Sequence, residues 1–280
     1  MNKVTRRTRD VARKIYGRVA RAFENEFLPN PRLDTDLFLV EFPKSGVTWL
    51  SFVFANLHVQ MSQHARAITL FNLDEFVHDV QSVRRVSVHS DERQHSRIFK
   101  SHAPYMREYR KIIYLVRDPR DVMVSYWKFL TGLGQWSGTL EELVWSQEFG
   151  ISAWKSHVIG WLDNVDPAVS FAIVRYEDLL IDVESEMKSL CSLLGIQVND
   201  SQIRIACERS SIERLRVMEA EYQKRNPTLR SLEFFRKGDL GGGRIALSNE
   251  LKSSIEAQLG PLMEKFGYAT GRGNQGMLTR

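Results

Sequence analysis

Phe42-Pro-Lys-Ser-Gly-Val-Thr-Trp-Leu50 is the stretch whose reading decides the fold. Ahead of it runs Asp36-Leu-Phe-Leu-Val-Glu-Phe42, an apolar segment with β-branched and aromatic content that reads as a buried strand. Behind it, Trp49-Leu-Ser-Phe-Val-Phe-Ala-Asn-Leu-His58 has the length and spacing of a helix packed on a sheet. A strand, a tight glycine-containing loop and a helix together aim free backbone N–H groups and the positive end of a helix at an anion. Lys44 adds a mobile cation, Thr48 a hydroxyl at the helix start, and Ser45, Gly46 and Val47 the cradle between them. The lysine precedes the only glycine, so this is not the nucleoside-triphosphatase loop G-x-x-x-x-G-K-[ST].

Moving outward, three more strand ends carry chemistry. Arg97-Ile-Phe-Lys-Ser-His-Ala-Pro104 reads as a short strand entering a proline-terminated loop, and alternation puts Lys100 and His102 on one side of it. Lys111-Ile-Ile-Tyr-Leu-Val-Arg117 is an apolar strand closed by an arginine. Asp118 then caps a helix with Pro119 in its first turn, reaching about Leu130 and carrying Ser125. Ser170-Phe-Ala-Ile-Val-Arg175 is a further strand, and Tyr176-Glu-Asp-Leu opens a helix expected to run to Leu194. Trp49 and Tyr176 offer aromatic faces at two of these strand-to-helix junctions. Strands near 36–42, 97–101, 111–117 and 170–175 alternate with helices, which predicts an α/β fold with a central parallel sheet flanked by helices. Ligands in such sheets bind beyond the carboxyl ends of the strands, where these residues sit.

The bulk numbers agree with one globular domain spanning 1–280. A chain of 280 residues with 43% hydrophobic and 26% charged residues can bury a substantial core. A net charge of +5 suits an anionic ligand without implying nucleic acid. Cys191 and Cys207 read as buried free thiols, not as a disulfide framework or zinc site. No apolar run reaches membrane-spanning length and no secretory signal is visible, so a cytoplasmic protein is expected. Residues 1–30 carry eight Lys and Arg side chains up to Arg21, with Val11, Ile15, Val19 and Phe23 at four-residue intervals. They read as a basic amphipathic helix that packs on the domain edge, with membrane-surface contact as the sharper alternative. Residues 63–96 read as a loop-and-helix excursion, Gly132–Gly138 as a substrate-side lid, and 269–280 as a frayed tail.

The motifs resemble those of the cytosolic-type sulfotransferases, in the family's order, over roughly residues 36–268. Pro43-Lys-Ser-Gly-x-Thr-Trp49 is similar to that family's 5′-phosphosulfate loop, and Lys100-Ser-His102-x-Pro104 to the element supplying its catalytic histidine. The string from Ile113 to Phe129 resembles the 3′-phosphate element, which implies phosphate contacts for Arg117 and Ser125. By the same resemblance Tyr176 contacts adenine, Ser210 keeps a nucleotide-side hydroxyl, and Arg236-Lys237-Gly238 clamps the 3′-phosphate. Two positions depart from the pattern: Ile212 and Gly243 stand where aromatics are usual. The run Gly241-Gly-Gly243 is expected to make its loop pliable. The dimer motif of many members is missing after the clamp, which leaves oligomeric state open.

The resemblance implies transfer of a sulfuryl group from 3′-phosphoadenosine 5′-phosphosulfate to a small-molecule, lipid or sugar acceptor. Its hydroxyl is the expected nucleophile, less often an amine. The residues fit that chemistry on their own terms. His102 has a suitable unperturbed pKa for a general base, Lys44 can stabilise the leaving phosphate, and Lys100 can face the sulfuryl oxygens. No clustered carboxylates offer a metal seat at the loop, so transfer without a metal is expected. Two other readings stay open at this point: a P-loop small-molecule kinase, and a non-catalytic nucleotide- or nucleic-acid-binding module.

Overall fold

The structure, a computed structural model, describes residues 33–62, 66–80, 96–226, 235, 241 and 243–270. The elements in chain order are β1 (Leu37–Glu41), α1 (Val47–Met61), β2 (Val77–Asp79), β3 (Ile98–Ser101), β4 (Lys111–Val116) and α2 (Pro119–Gly132). There follow α3 (Leu140–Val144), α4 (Ile151–Asn164), β5 (Ser170–Arg175), α5 (Tyr176–Ile181) and α6 (Val183–Leu193). The last are α7 (Asp200–Arg209), α8 (Ile212–Arg225) and α9 (Asn249–Lys265).

All strand pairs are parallel, in the order β2-β3-β1-β4-β5. The near-continuous apolar character of β1 and β4 follows, because a strand covered on both faces has no polar side to show. Phe38 and Val40 of β1 join Ile112, Tyr114 and Val116 of β4 in a core shared with residues of α2, α4 and α9. Leu37 and Leu39 join Ile113 and Leu115 in a second core, shared with residues of α1, α6 and α7. The chain leaves β1 towards β2 at one edge and leaves β4 towards β5 at the other. The loops after β1 and β4 therefore diverge, and divergence of that kind opens a crevice at the carboxyl edge of a sheet. A buried bidentate pair of Arg97 with Asp36, at 2.8 and 2.7 Å, fixes the opposite ends of β1 and β3.

The four expected strands form within a residue of their expected limits. Elsewhere the structure corrects the reading. Residues 77–79, taken into an irregular excursion, form the edge strand β2. The helix expected from Tyr176 to Leu194 is two helices broken at Asp182, whose side chain accepts from Ser185 N and starts the second. Helix α7 forms where the segment around Cys207 reads as helical without defined limits, and Asn199 and Gln202 form a reciprocal capping box at its start. Helix α9 continues through Pro261 without a break. Among the described residues no helix is long and apolar enough to cross a membrane. The expected helix over 1–30, the expected tail over 269–280 from 271 onward, and the clamp Arg236-Lys237-Gly238 lie outside the described residues.

Candidate active site

The loop between β1 and α1 is built to present its backbone. Gly46 precedes α1 with φ 118°, a left-handed conformation that side chains resist. A Cβ there would also stand 2.5 Å from the ring of Tyr176, so the loop passes directly under that aromatic. Lys44 adopts φ 75°, the only non-glycine with positive φ among the described residues. Such a conformation costs about 1–3 kcal/mol and persists where surrounding contacts over-determine it. Here the Lys44 amine lies 4.0 Å over the ring of Phe129, and its carbonyl accepts from Arg117 at 3.4 Å. Ser45 is buried, its hydroxyl donating to Phe42 O at 2.8 Å. It is a strut of the loop and does not line the cavity.

One cavity collects the strand ends. It is lined by Glu41, Lys44, Gly46, Val47, Thr48 and Trp49 from β1 and its loop, Lys100 and His102 from β3, and Arg117 and Ser125 from beyond β4. Tyr176, Ile212 and Phe235 complete the wall. A larger groove, of about 880 Å³, opens around Asn56, Arg209 and Met218, but neither the loop nor His102 lines it. The smaller cavity is therefore the candidate site.

His102 stands just past β3. Its Nδ1 lies 3.4 Å from the main-chain oxygen of Glu41 and 3.8 Å from the Glu41 carboxylate. Burial pulls the imidazole down to about 4, with Lys100 and Lys44 adding to the shift and Asp79 opposing it. Lys100 reaches Asp79 of β2 at 3.3 Å, so β2 supplies the counter-charge beside the base. Behind His102, buried His157 takes part in a 2.8 Å hydrogen bond with the Tyr114 hydroxyl. Burial, with His102 nearby, pushes that imidazole down to about 3.

On the other side, the Arg117 guanidinium sits 4.2 Å over the Tyr176 ring, and its Nε is buried with no hydrogen-bond partner among the described residues. Arg117 lines the cavity, so a donor left unsatisfied on it suits an acceptor from outside the chain. Trp49 meets Tyr176 edge-on, with ring centroids 5.8 Å apart. Its indole nitrogen donates to Ser210 O at 2.9 Å. The Ser210 hydroxyl accepts from Asn56 Nδ2 at 3.0 Å and is fully buried. Ser210 thus holds Trp49 in place from behind the wall, whereas Ile212 faces the cavity.

Gly243 differs from its expected role as part of a pliable run. A Cβ there would meet the Asp121 carboxylate at 2.7 Å and the Asp121 Cα at 2.9 Å, while Arg244 N donates to Asp121 at 2.8 Å. The glycine marks a close packing of this segment on α2, not a hinge. Glu41 and Phe235 are cavity residues that the reading of the sequence left without a role. The signal for Glu41 was a single carboxylate ending an otherwise apolar strand; Phe235 gave none.

Chemically, the site offers three cations, a helix N-terminus, three aromatic side chains (Trp49, Tyr176 and Phe235) and one imidazole. That set fits a purine nucleotide with anionic groups at both ends. A family model described as the sulfotransferase domain matches residues 34–267. Cytosolic sulfotransferase 13 of Arabidopsis thaliana is 28% identical over 250 residues, covering 80% of this chain and 75% of its own. Human sulfotransferase 2A1 is 23% identical over 214 residues, 72% of each chain. Among solved structures, retinol dehydratase in complex with retinol and PAP aligns with TM-score 0.63 at 20% identity, covering 88% of this chain and 85% of its own. A mouse sulfotransferase complexed with PAP aligns with TM-score 0.58 at 20% identity, covering 84% and 85%. Those two likenesses are of fold.

Proposed function

The chain belongs to the sulfotransferase domain family, and we propose that it transfers a sulfuryl group from 3′-phosphoadenosine 5′-phosphosulfate to an acceptor hydroxyl, or less often an amine, with His102 as general base. The observation that carries this is the convergence of Lys44, Lys100, His102, Arg117 and Tyr176, from four separate strand ends, on one cavity. The buried Arg117 Nε, unpartnered among the described residues, is the second support, since a phosphate oxygen is the acceptor it lacks.

In this reading the loop from Lys44 to Thr48 holds the 5′ end of the nucleotide, and Arg117 with Ser125 holds the 3′-phosphate. Arg236, Lys237 and Gly238 are assigned to the same phosphate. Trp49, Tyr176 and Ile212 enclose the adenine, and Ser210 acts on it through Trp49. The nucleotide supplies an activated sulfuryl group: the acceptor oxygen bonds to sulfur as the sulfur–oxygen bond to the 5′-phosphate breaks, leaving its electron pair on that phosphate. His102 takes the acceptor proton, since an alcohol is a weak nucleophile at neutral pH. Lys44 and the loop N–H groups face the charge that gathers on the leaving phosphate, in a site whose dipoles are already oriented. Lys100 is assigned to the sulfuryl oxygens, and in-line displacement is the expected course. The acceptor is assigned as a small molecule and the location as cytoplasmic, a reading supported by the name of the relative cytosolic sulfotransferase 13.

The test is mass-detected sulfate transfer from 3′-phosphoadenosine 5′-phosphosulfate across a panel of phenols, sterols, aliphatic alcohols and amines. Wild type is expected to form a sulfated product, and His102→Ala to lower the rate by about 10²- to 10⁴-fold. A phosphorylated product with ATP and Mg²⁺, or turnover indifferent to His102, would overturn the reading.

A further inference from the structure

One carboxylate stands where the cradle meets the base. Glu41 ends β1, and its carboxylate is buried. One oxygen accepts from Val47 N at 2.6 Å, inside the phosphate-binding loop, and the other lies 3.8 Å from His102 Nδ1. The main-chain oxygen of the same residue lies 3.4 Å from that nitrogen. A single residue therefore touches both halves of the proposed chemistry. The charged and titratable groups around it are Lys44 from the loop, Lys100 and His102 from β3 and its exit, and Arg117 and Tyr114 from β4. Asp79 of β2 and His157 of α4 complete the set around His102.

We propose that Glu41 is a positioning residue for the transfer: it keeps the His102 proton on Nδ1 and the lone pair on Nε2, and its charge holds the imidazolium that forms on transfer. This rests on the reading of His102 as the base. In proton terms, the acceptor O–H proton moves to Nε2, the Nδ1 proton stays where it is, and none passes to Glu41. The Glu41–His102 pair goes from one net negative charge to neutral as the acceptor oxygen bonds to sulfur. A carboxylate behind a histidine acts in this way wherever a fixed tautomer is needed.

The electrostatics agree with the geometry. Burial pushes the Glu41 carboxyl up to about 7, against the Val47 amide, Lys44, Arg117 and Lys100, while His102 is held near 4. Above pH 7 the carboxylate is ionised and, 3.8 Å from Nδ1, favours the Nδ1–H tautomer through its charge, while the main-chain oxygen at 3.4 Å is the nearer acceptor. Below pH 7 the carboxyl is neutral, and its electrostatic hold on the Nδ1–H tautomer and on the imidazolium is lost. The share of the Nδ1–H tautomer of His102 is thus expected to fall as pH drops through about 7, without the ring becoming charged.

The experiment is a pH titration of the ¹⁵N-histidine-labelled protein by NMR, with His102→Ala assigning the resonance. Wild type is expected to show the His102 nitrogens exchange part of their protonated and unprotonated signatures with a midpoint near pH 7, and Glu41→Gln to abolish the exchange. The glutamine keeps an oxygen for Val47 N, so affinity for 3′-phosphoadenosine 5′-phosphate is expected to stay within about threefold, while kcat falls by about 10- to 100-fold. Glu41→Thr removes that acceptor too and is expected to weaken nucleotide binding. A His102 spectrum without tautomer exchange in wild type, or one that Glu41→Gln leaves unchanged, overturns the proposal, and the wild-type titration decides even if the variant does not fold. Failure of wild type to sulfate any acceptor would instead count against the functional reading, leaving the Glu41–His102 coupling to be judged by the spectrum.

Discussion

The indole nitrogen of Trp49 donates to the carbonyl of Ser210 at 2.9 Å, joining the first turn of α1 to the α7–α8 junction 161 residues later. The bond fixes the ring edge-on to Tyr176, so one wall of the nucleotide cavity is set by a residue that does not itself face it. Trp49→Phe keeps an aromatic face and removes the donor, leaving a buried carbonyl unpaired. It is expected to lose about 1 kcal/mol of stability in denaturant unfolding. Trp49→Ala also removes the stacking surface and is expected to weaken 3′-phosphoadenosine 5′-phosphate binding by about 1–3 kcal/mol in calorimetry, more than the Phe variant does. Equal, wild-type affinity in both variants would remove Trp49 from the site.

Gly46 answers to two constraints at once. Its φ of 118° is costly for any side chain, and the first atom of one would stand 2.5 Å from Tyr176. Gly46→Ala is expected to displace the Tyr176 ring or the loop and to cost about 2 kcal/mol or more in thermal unfolding. Nucleotide-induced stabilisation should be lost in the same variant. A Gly46→Ala protein with wild-type Tm and nucleotide response would mean that the loop is shaped otherwise.

Replacing Gly243 with the aromatic usual at that position is expected to harm, not tighten, the protein. Its Cβ would begin 2.7 Å from the Asp121 carboxylate, and the Asp121–Arg244 N bond at 2.8 Å holds the two segments together. Gly243→Trp must therefore push the segment off α2, and overpacking of this kind costs about 1–3 kcal/mol. The check is thermal unfolding beside nucleotide affinity. A Trp variant that is both stable and a tighter binder would restore the pliable-loop explanation.

Buried histidines set an acid limit. The folded His157 titrates near 3, mainly through burial, against 6.5 when exposed. Its contribution is complete above pH 6.5 and is lost as pH falls towards 3, at about 1.4 kcal/mol per pH unit. His102, near 4, acts in the same direction over the upper part of that range. Glu41 acts oppositely: raised from 4.5 to about 7, it favours the folded state as pH falls through that interval. His157→Gln can still bond to Tyr114 and is expected to flatten the pH dependence of unfolding free energy by about 1.4 kcal/mol per unit between pH 6 and 4. Parallel curves for wild type and variant would show that His157 is not held neutral.

Most of this architecture is legible in the chain because central parallel strands declare themselves. Phe38, Val40, Ile112 and Tyr114 face one core while Leu37, Leu39, Ile113 and Leu115 face the other, so β1 and β4 read as unbroken apolar runs. Edge elements leave weaker marks. Residues Val77–Asp79 hold a single apolar side chain in three and become a strand only because β3 lies alongside. Asp182 looks like any helix residue until its side chain caps α6 and splits the helix expected there. Ser210 and Glu41 show the limit for the site itself. The family pattern locates Ser210 near the nucleotide, but that its hydroxyl turns back to Asn56 is decided by packing across 154 residues. Glu41 gains its meaning from Val47 N and His102, and nothing in its own neighbourhood of sequence announces the second of these.

The account stands or falls on one nucleotide being held from both sides of this cavity, by the loop at Lys44 and by Arg117. Isothermal titration of the wild-type protein with 3′-phosphoadenosine 5′-phosphate, repeated on Lys44→Ala and Arg117→Ala, measures that directly. One saturable site is expected, weakened by about 1.5–3 kcal/mol in each variant as a charged hydrogen bond to phosphate is lost. Absence of heat in wild type, or binding that neither substitution alters, would contradict it.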